Sequence, residues 1–129
     1  MKYQVNLNDR SYHITDSGEG VCVLLLVHRS APEQLKELTT SLSRLNYRLL
    51  SVDLSAAWPQ SPAQLTQSQL SDIASDLHLL ADINWLDEIV FAPCLLGPSF
   101  FILLEQKLRS RIRQLDSRTK KSQLLPQPA

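Results

Sequence analysis

An α/β fold is predicted, a three-layer sandwich with a five-stranded, mostly parallel sheet and three helices. Three observations carry it. Val21–Val27 (V-C-V-L-L-L-V) is apolar at every position, the pattern of a strand buried on both faces of a parallel sheet. Beyond it, stretches with helical apolar spacing alternate with strand-length runs, in the order β-β-β-α-β-α-β-α. The first sixteen residues instead alternate apolar and polar around a polar turn, as an antiparallel hairpin does.

Taken in order, Lys2–Leu7 and Ser11–Asp16 form the hairpin, with Asn8-Asp9-Arg10 supplying turn chemistry. Gly18-Glu19-Gly20 breaks the chain before the apolar strand. Ser30 is placed to cap a helix starting near Pro32, where a missing N–H costs nothing, and Leu35, Leu38, Leu42 and Leu45 recur along one side. Asn46 closes that helix and Tyr47–Leu54 is the next strand. Ser55–Leu65, with Pro59 and Pro62, is a loop. Thr66-Gln67-Ser68-Gln69 has the form of a capping box, and the helix it starts aligns Leu70, Ile73, Ala74, Leu77, Leu80 and Ala81. Glu88–Ala92 is the fifth strand. Pro98–Leu115 is a helix with Phe101, Leu104, Leu108, Ile112 and Leu115 along one stripe and a basic end that suits its dipole. The expected organisation is one domain over residues 1–115 and a flexible basic tail over 116–129 containing Pro126 and Pro128.

Composition narrows the function. The chain has 129 residues, 43% hydrophobic and 20% charged, the balance of one soluble globular domain. Such a length buries ~65% of the unfolded surface. No apolar run reaches membrane-spanning length and the N-terminus has no signal-peptide core, so a cytoplasmic location is expected. Cys22 and Cys94 would lie ~15 Å apart at opposite ends of parallel strands, too far for a bridge. The three histidines, His13, His28 and His78, fall on separate elements, so neither a metal nor another cofactor is expected. Net charge is zero, but residues 1–106 carry −6 and residues 107–129 carry +6. The basic stretch Lys107–Lys121 has no interleaved aromatics to support base stacking, so no specific nucleic-acid partner is expected.

The chemistry-bearing stretch is Asp87–Phe101, D-E-I-V-F-A-P-C-L-L-G-P-S-F-F. A short β-branched and aromatic strand turns through Ala92–Gly97 into an apolar helix, with Cys94 at the apex. A sharp strand-to-helix turn is how a nucleophile is held above a sheet, and the following helix dipole favours a thiolate. Against this, Ala92 and Leu96 stand where such a turn needs glycines. The alternative for Cys94 is a small, semi-buried, inert thiol.

Four segments in order resemble the α/β-hydrolase family over roughly residues 3–109. These are Ser17–Gly20 before the buried strand, Val27-His28 at its end, Tyr47–Ser55 with Ser61, and Asp87–Gly97 at the elbow. The resemblance implies strand order 1-2-4-3-5, with Cys94 in the nucleophile's place and His28, Arg29 and Leu95 around the oxyanion. In this family the histidine at His28 is usually structural. Asp53 and Trp58, at the same end of the sheet, are candidates for a pocket or a partner contact. Asp53 equally suits an Asx-type bond to its own turn, and Trp58 equally suits simple packing. Arg29 replaces the family's glycine, as do Ala56 and Trp58 after Asp53. The family's later strands, which bear the catalytic acid and histidine, have no counterpart, so a truncated fold is expected. That leaves Glu88–Ala92 as an edge strand needing a homo-oligomeric or other protein partner. The implied function is a non-catalytic protein acting by association. The alternative is an ester or thioester hydrolase or acyltransferase that uses Cys94 with catalytic residues from a partner chain. Neither a substrate nor a partner is named by the sequence.

Overall fold

The computed structural model describes residues 1–28, 40, 45–92, 96 and 98–114. Its core is a six-stranded sheet, β1 (Lys2–Leu7), β2 (Arg10–Ser17), β3 (Cys22–Val27), β4 (Arg48–Asp53), β5 (Ile89–Phe91) and β6 (Ile112–Gln114). Their order is β1-β2-β4-β3-β5-β6. β1, β2 and β4 run antiparallel to their neighbours in turn, and β4, β3, β5 and β6 are parallel. Two α-helices have both ends among the described residues, α1 (Gln67–Ile83) and α2 (Pro98–Leu108), which pack on one face of the sheet and on each other.

The hairpin closes through Asn8 and Asp9, both at positive φ (51° and 66°). That is the primed two-residue turn whose twist matches the strands, and Asn and Asp tolerate it best after glycine. β1 alternates exposed and inward residues, whereas β3 is buried along nearly its whole length. Leu24, Leu26, Leu50, Val52, Ile89, Phe91 and Ile112 face the helices; Val23, Leu25, Leu49, Val90 and Ala92 face the opposite side. The helix expected from Pro32 to Leu45 lies outside the described residues, apart from Thr40, which is helical, and Leu45, which is in a turn.

Gly18 and Gly20 both hold positive φ and both press on the backbone entering β4. A Cβ on Gly20 would sit 2.5 Å from Asn46 O, so no side chain fits. A bidentate pair ties the same corner: Arg48 Nε donates to Asp16 Oδ1 (3.0 Å) and its terminal nitrogen to Oδ2 (2.7 Å). Arg48 holds the Asp16 carboxyl below the usual range. A depressed folded-state pKa gives stability that is present at neutral pH and lost as pH falls through the carboxylate range. Asp16→Asn should therefore flatten the acid limb of a stability-versus-pH curve; an unchanged limb would show that this pair contributes nothing there.

α1 begins as expected. The Thr66 side chain accepts from Gln69 N (3.1 Å) and Gln69 Oε1 accepts from Thr66 N (2.8 Å), a complete capping box. It ends in a Schellman turn, with Leu86 N–H bonded to Ala81 O (2.9 Å) and Trp85 N–H to Asp82 O (3.2 Å). The left-handed position of that turn, normally glycine, is Trp85, at φ 56° and 88% exposed. Relief of its backbone strain, less the entropy glycine loses on folding, should make Trp85→Gly more stable by about 0.5–1 kcal/mol in urea unfolding.

The C-terminal part departs from the helix expected over Pro98–Leu115. α2 stops at Leu108, Arg109 turns to φ 53°, a single 3-10 turn (Arg109–Arg111) follows, and β6 runs beside β5. Arg111 anchors the turn by donating to Leu86 O (3.0 and 2.8 Å) and Asp82 (2.8 Å). Leu104, Leu108 and Ile112 all reach the same core, so helical spacing alone does not reveal the break. The expected edge strand, Glu88–Ala92, is thus corrected: β5 lies between β3 and β6, and β6 takes the border. The tail 116–129 lies outside the described residues.

Candidate functional site

β3 sits where the chain order branches, with β4 on one side and β5 on the other. Open α/β sheets have their crevice at the carboxyl ends of the strands that flank such a branch. Here those ends are Val27-His28, Asp53-Leu54 and Phe91-Ala92. The first two lie level, Leu54 N–H bonding Val27 O (2.9 Å), whereas β5 stops lower on β3, with Phe91 opposite Leu24 and Ala92 N–H bonded to Leu24 O (3.1 Å). The sequence-predicted residues His28 and Asp53 therefore lie at the ends of adjacent strands. Cys94, Leu95 and Arg29 lie outside the described residues.

His28 is 4% exposed, and its Nε2 lies 2.9 Å from Trp58 O. A carbonyl only accepts, so Nε2 carries the proton and the ring braces the loop after β4. Asp53 Oδ1 accepts from Ser55 N–H (2.9 Å), the Asx-type bond that shapes the start of that loop. Trp58 N–H bonds back to Leu54 O (2.8 Å), which closes the turn. Trp58 itself is 8% exposed and lies within the main core. Both residues thus stand at the sheet's mouth.

Behind the mouth is a polar assembly that the sequence reading did not anticipate. Trp58 Nε1–H donates to Tyr12 Oη (2.9 Å), and the Tyr12 hydroxyl donates to Asp76 Oδ2. Asp76, on α1, is fully buried. It also accepts from Arg10 Nε (2.6 Å), the Arg10 terminal nitrogen (2.9 Å) and Asn8 Nδ2 (2.8 Å). The Arg10 guanidinium lies 5.2 Å from the centroid of the Trp58 ring, in cation–π range. Burial, and then the neighbouring Asp76, push the Tyr12 hydroxyl well above its ordinary pKa, so it stays a donor. Asp76 and its bonds to Arg10 raise the pKa of that guanidinium further. One signal for this assembly was present in the sequence. Asp76 falls inside the apolar stripe Ile73, Ala74, Leu77, Leu80, and a carboxylate on a buried face needs cationic or hydroxyl partners.

Cys22 is buried, and burial pushes its thiol up to about 11, which makes it a poor nucleophile. Among the described residues, no cluster of His, Cys, Asp and Glu is arranged to hold a metal. No described helix is long and apolar enough to cross a membrane.

No protein-family model matches the sequence, and no curated protein matches it significantly. Solved structures do. An epoxide hydrolase from Vigna radiata superposes with a TM-score of 0.66 at 21% identity, over 87% of this chain and 37% of its own. A bromoperoxidase from Bacillus anthracis gives 0.66 at 17%, over 88% and 42%. A variant of the meta-cleavage product hydrolase CumD gives 0.64 at 18%, over 87% and 43%. The chain spans about two-fifths of the length of these proteins. Identities this low establish the fold alone. Over most of its length this chain folds as a portion of an α/β-hydrolase.

Proposed function

We propose that this chain acts through association, as a homodimer or as a subunit of a complex, and does not catalyse by itself. The observation that carries the proposal is the state of His28. His28, which follows β3, is buried and bonded to Trp58 O, so it supports a loop rather than relaying protons. The sheet border adds support. Among the described residues β6 has a neighbour only on its β5 side, and at three residues it offers a short edge for a further strand. Its Arg113 is 63% exposed and reaches Glu88 at 3.6 Å, a charge placed where open-ended stacking would otherwise occur. Ile83 and Trp85 add exposed apolar area at the end of α1.

A second reading is favoured by the hydrolases among the fold neighbours and by the elbow-like stretch around Cys94. In it, the Cys94 thiolate attacks an ester or thioester carbonyl and expels the alcohol or thiol, and a base from another chain activates the water that hydrolyses the resulting acyl-thioester. Iodoacetamide labelling against pH separates the two. The buried Cys22 thiol gives little background below its raised pKa of about 11. Association without catalysis predicts slow labelling of Cys94 with an ordinary thiol midpoint near ~8.5. It also predicts no turnover of p-nitrophenyl esters and a scattering mass at least twice that of the chain. Labelling already complete near neutral pH, with ester turnover lost in Cys94→Ala, would establish the second reading instead. A monomer at micromolar concentration with no binding partner would remove the first.

A further inference from the structure

We infer that Asp76 is a positioning residue for the mouth of the sheet: through Tyr12 and Trp58 it sets the place and tautomer of His28, although it lies on another element. The path is continuous. The Asp76 carboxylate takes the Tyr12 hydroxyl proton, the Tyr12 oxygen accepts the Trp58 indole N–H, and the Trp58 carbonyl accepts His28 Nε2–H. Four elements contribute one residue each: α1, β2, the loop after β4, and the end of β3.

Three features make this more than a row of neighbours. Direction is imposed at each step, because a buried carboxylate and a carbonyl accept only, and an indole N–H donates only. Tyr12 is therefore the one group that can turn, and Asp76 decides which way its proton points. Trp58 is held from three sides, by Tyr12 at the indole nitrogen, by Arg10 over its ring face, and by His28 at its carbonyl. Finally, Tyr12 and Asp76 are fully buried and Trp58 nearly so, so water is not at hand to replace a lost partner. Moving the carboxylate releases the hydroxyl, the indole and then the carbonyl that orients the imidazole. The inference does not depend on whether the chain catalyses.

Tyr12→Phe cuts the path and leaves Asp76 with Arg10 and Asn8; Asn8→Ala removes a bond to Asp76 that is off the path. With both variants verified as folded by near-UV circular dichroism, NMR should show the following. In Tyr12→Phe the Trp58 indole N–H resonance shifts, the His28 imidazole 15N signals move, and protection of the indole proton from exchange falls about tenfold, the loss of one buried hydrogen bond. In Asn8→Ala the His28 and Trp58 signals stay in place even though stability drops. Unmoved His28 signals in folded Tyr12→Phe would overturn the inference, and so would equal movement in both variants. Should Tyr12→Phe not fold, exchange in the unaltered protein decides. The indole N–H of Trp58 and the Nε2–H of His28 should open with one common protection factor, and independent opening would refute the coupling.

Discussion

Asp76→Ala should lower the unfolding free energy by about 3 kcal/mol, at the lower end of the range for breaking a buried ion pair. The substitution leaves three donors without their acceptor. Arg10 keeps access to solvent, with 28% of its side chain exposed, so its guanidinium rehydrates and the loss is moderated. Tyr12 has no such recourse, being fully buried: its oxygen keeps the Trp58 indole N–H, but its own O–H is left without an acceptor. The Asn8 amide loses the bond that ties the positive-φ turn to α1. Asn8→Ala removes that last contact and puts alanine at a positive φ, and should cost about 1–2 kcal/mol. Urea titration of both variants checks the ratio. If Asp76→Ala cost no more than Asn8→Ala, the hairpin would not be clasped to α1 by this carboxylate.

Phe91→Ala should cost about 3–5 kcal/mol, the usual range for emptying an aromatic site in a closed core. Phe91 is the last residue of β5 and pairs with Leu24 of β3 and Gln114 of β6. Its ring centroid lies 5.9 Å from that of Phe100 and 6.0 Å from that of Phe101, both tilted, so aromatic contact adds to area burial. The same ring thus joins β5 to α2. Loss of Phe91 should loosen that contact, read as faster iodoacetamide labelling of Cys94, which lies in the sequence between the two elements, in the variant. Phe101→Ala, at a half-buried position, should cost clearly less; equal costs would contradict the packing described.

The hairpin, the buried strand, the strand from Tyr47 and the capped helix at Thr66 were legible because each carries a local pattern with one physical meaning. Continuous apolarity marks a strand covered on both faces, and T-x-x-Q marks two backbone donors awaiting side chains. The end of α2 was not legible. Leu104, Leu108 and Ile112 keep helical spacing across the break because helix and strand both place them against one core, and a three-residue strand is too short to show its own period. Arg109 at positive φ and Arg111 bonded to Leu86 O are what turn the chain, and neither arginine signals this in the sequence.

At the mouth, residue types and order placed His28 and Asp53 at adjacent strand ends, and the register Val27 opposite Asp53 follows from that topology. What each side chain does there was settled only in three dimensions. Asp76 is 66 positions from Arg10 and 64 from Tyr12. Local patterning dictates which segments become strands and helices, because it acts through backbone geometry and the burial of one face. Long-range polar pairing is different: a buried carboxylate takes whichever donors the packed elements bring to it, so its partners emerge only once hairpin, helix and loop have met.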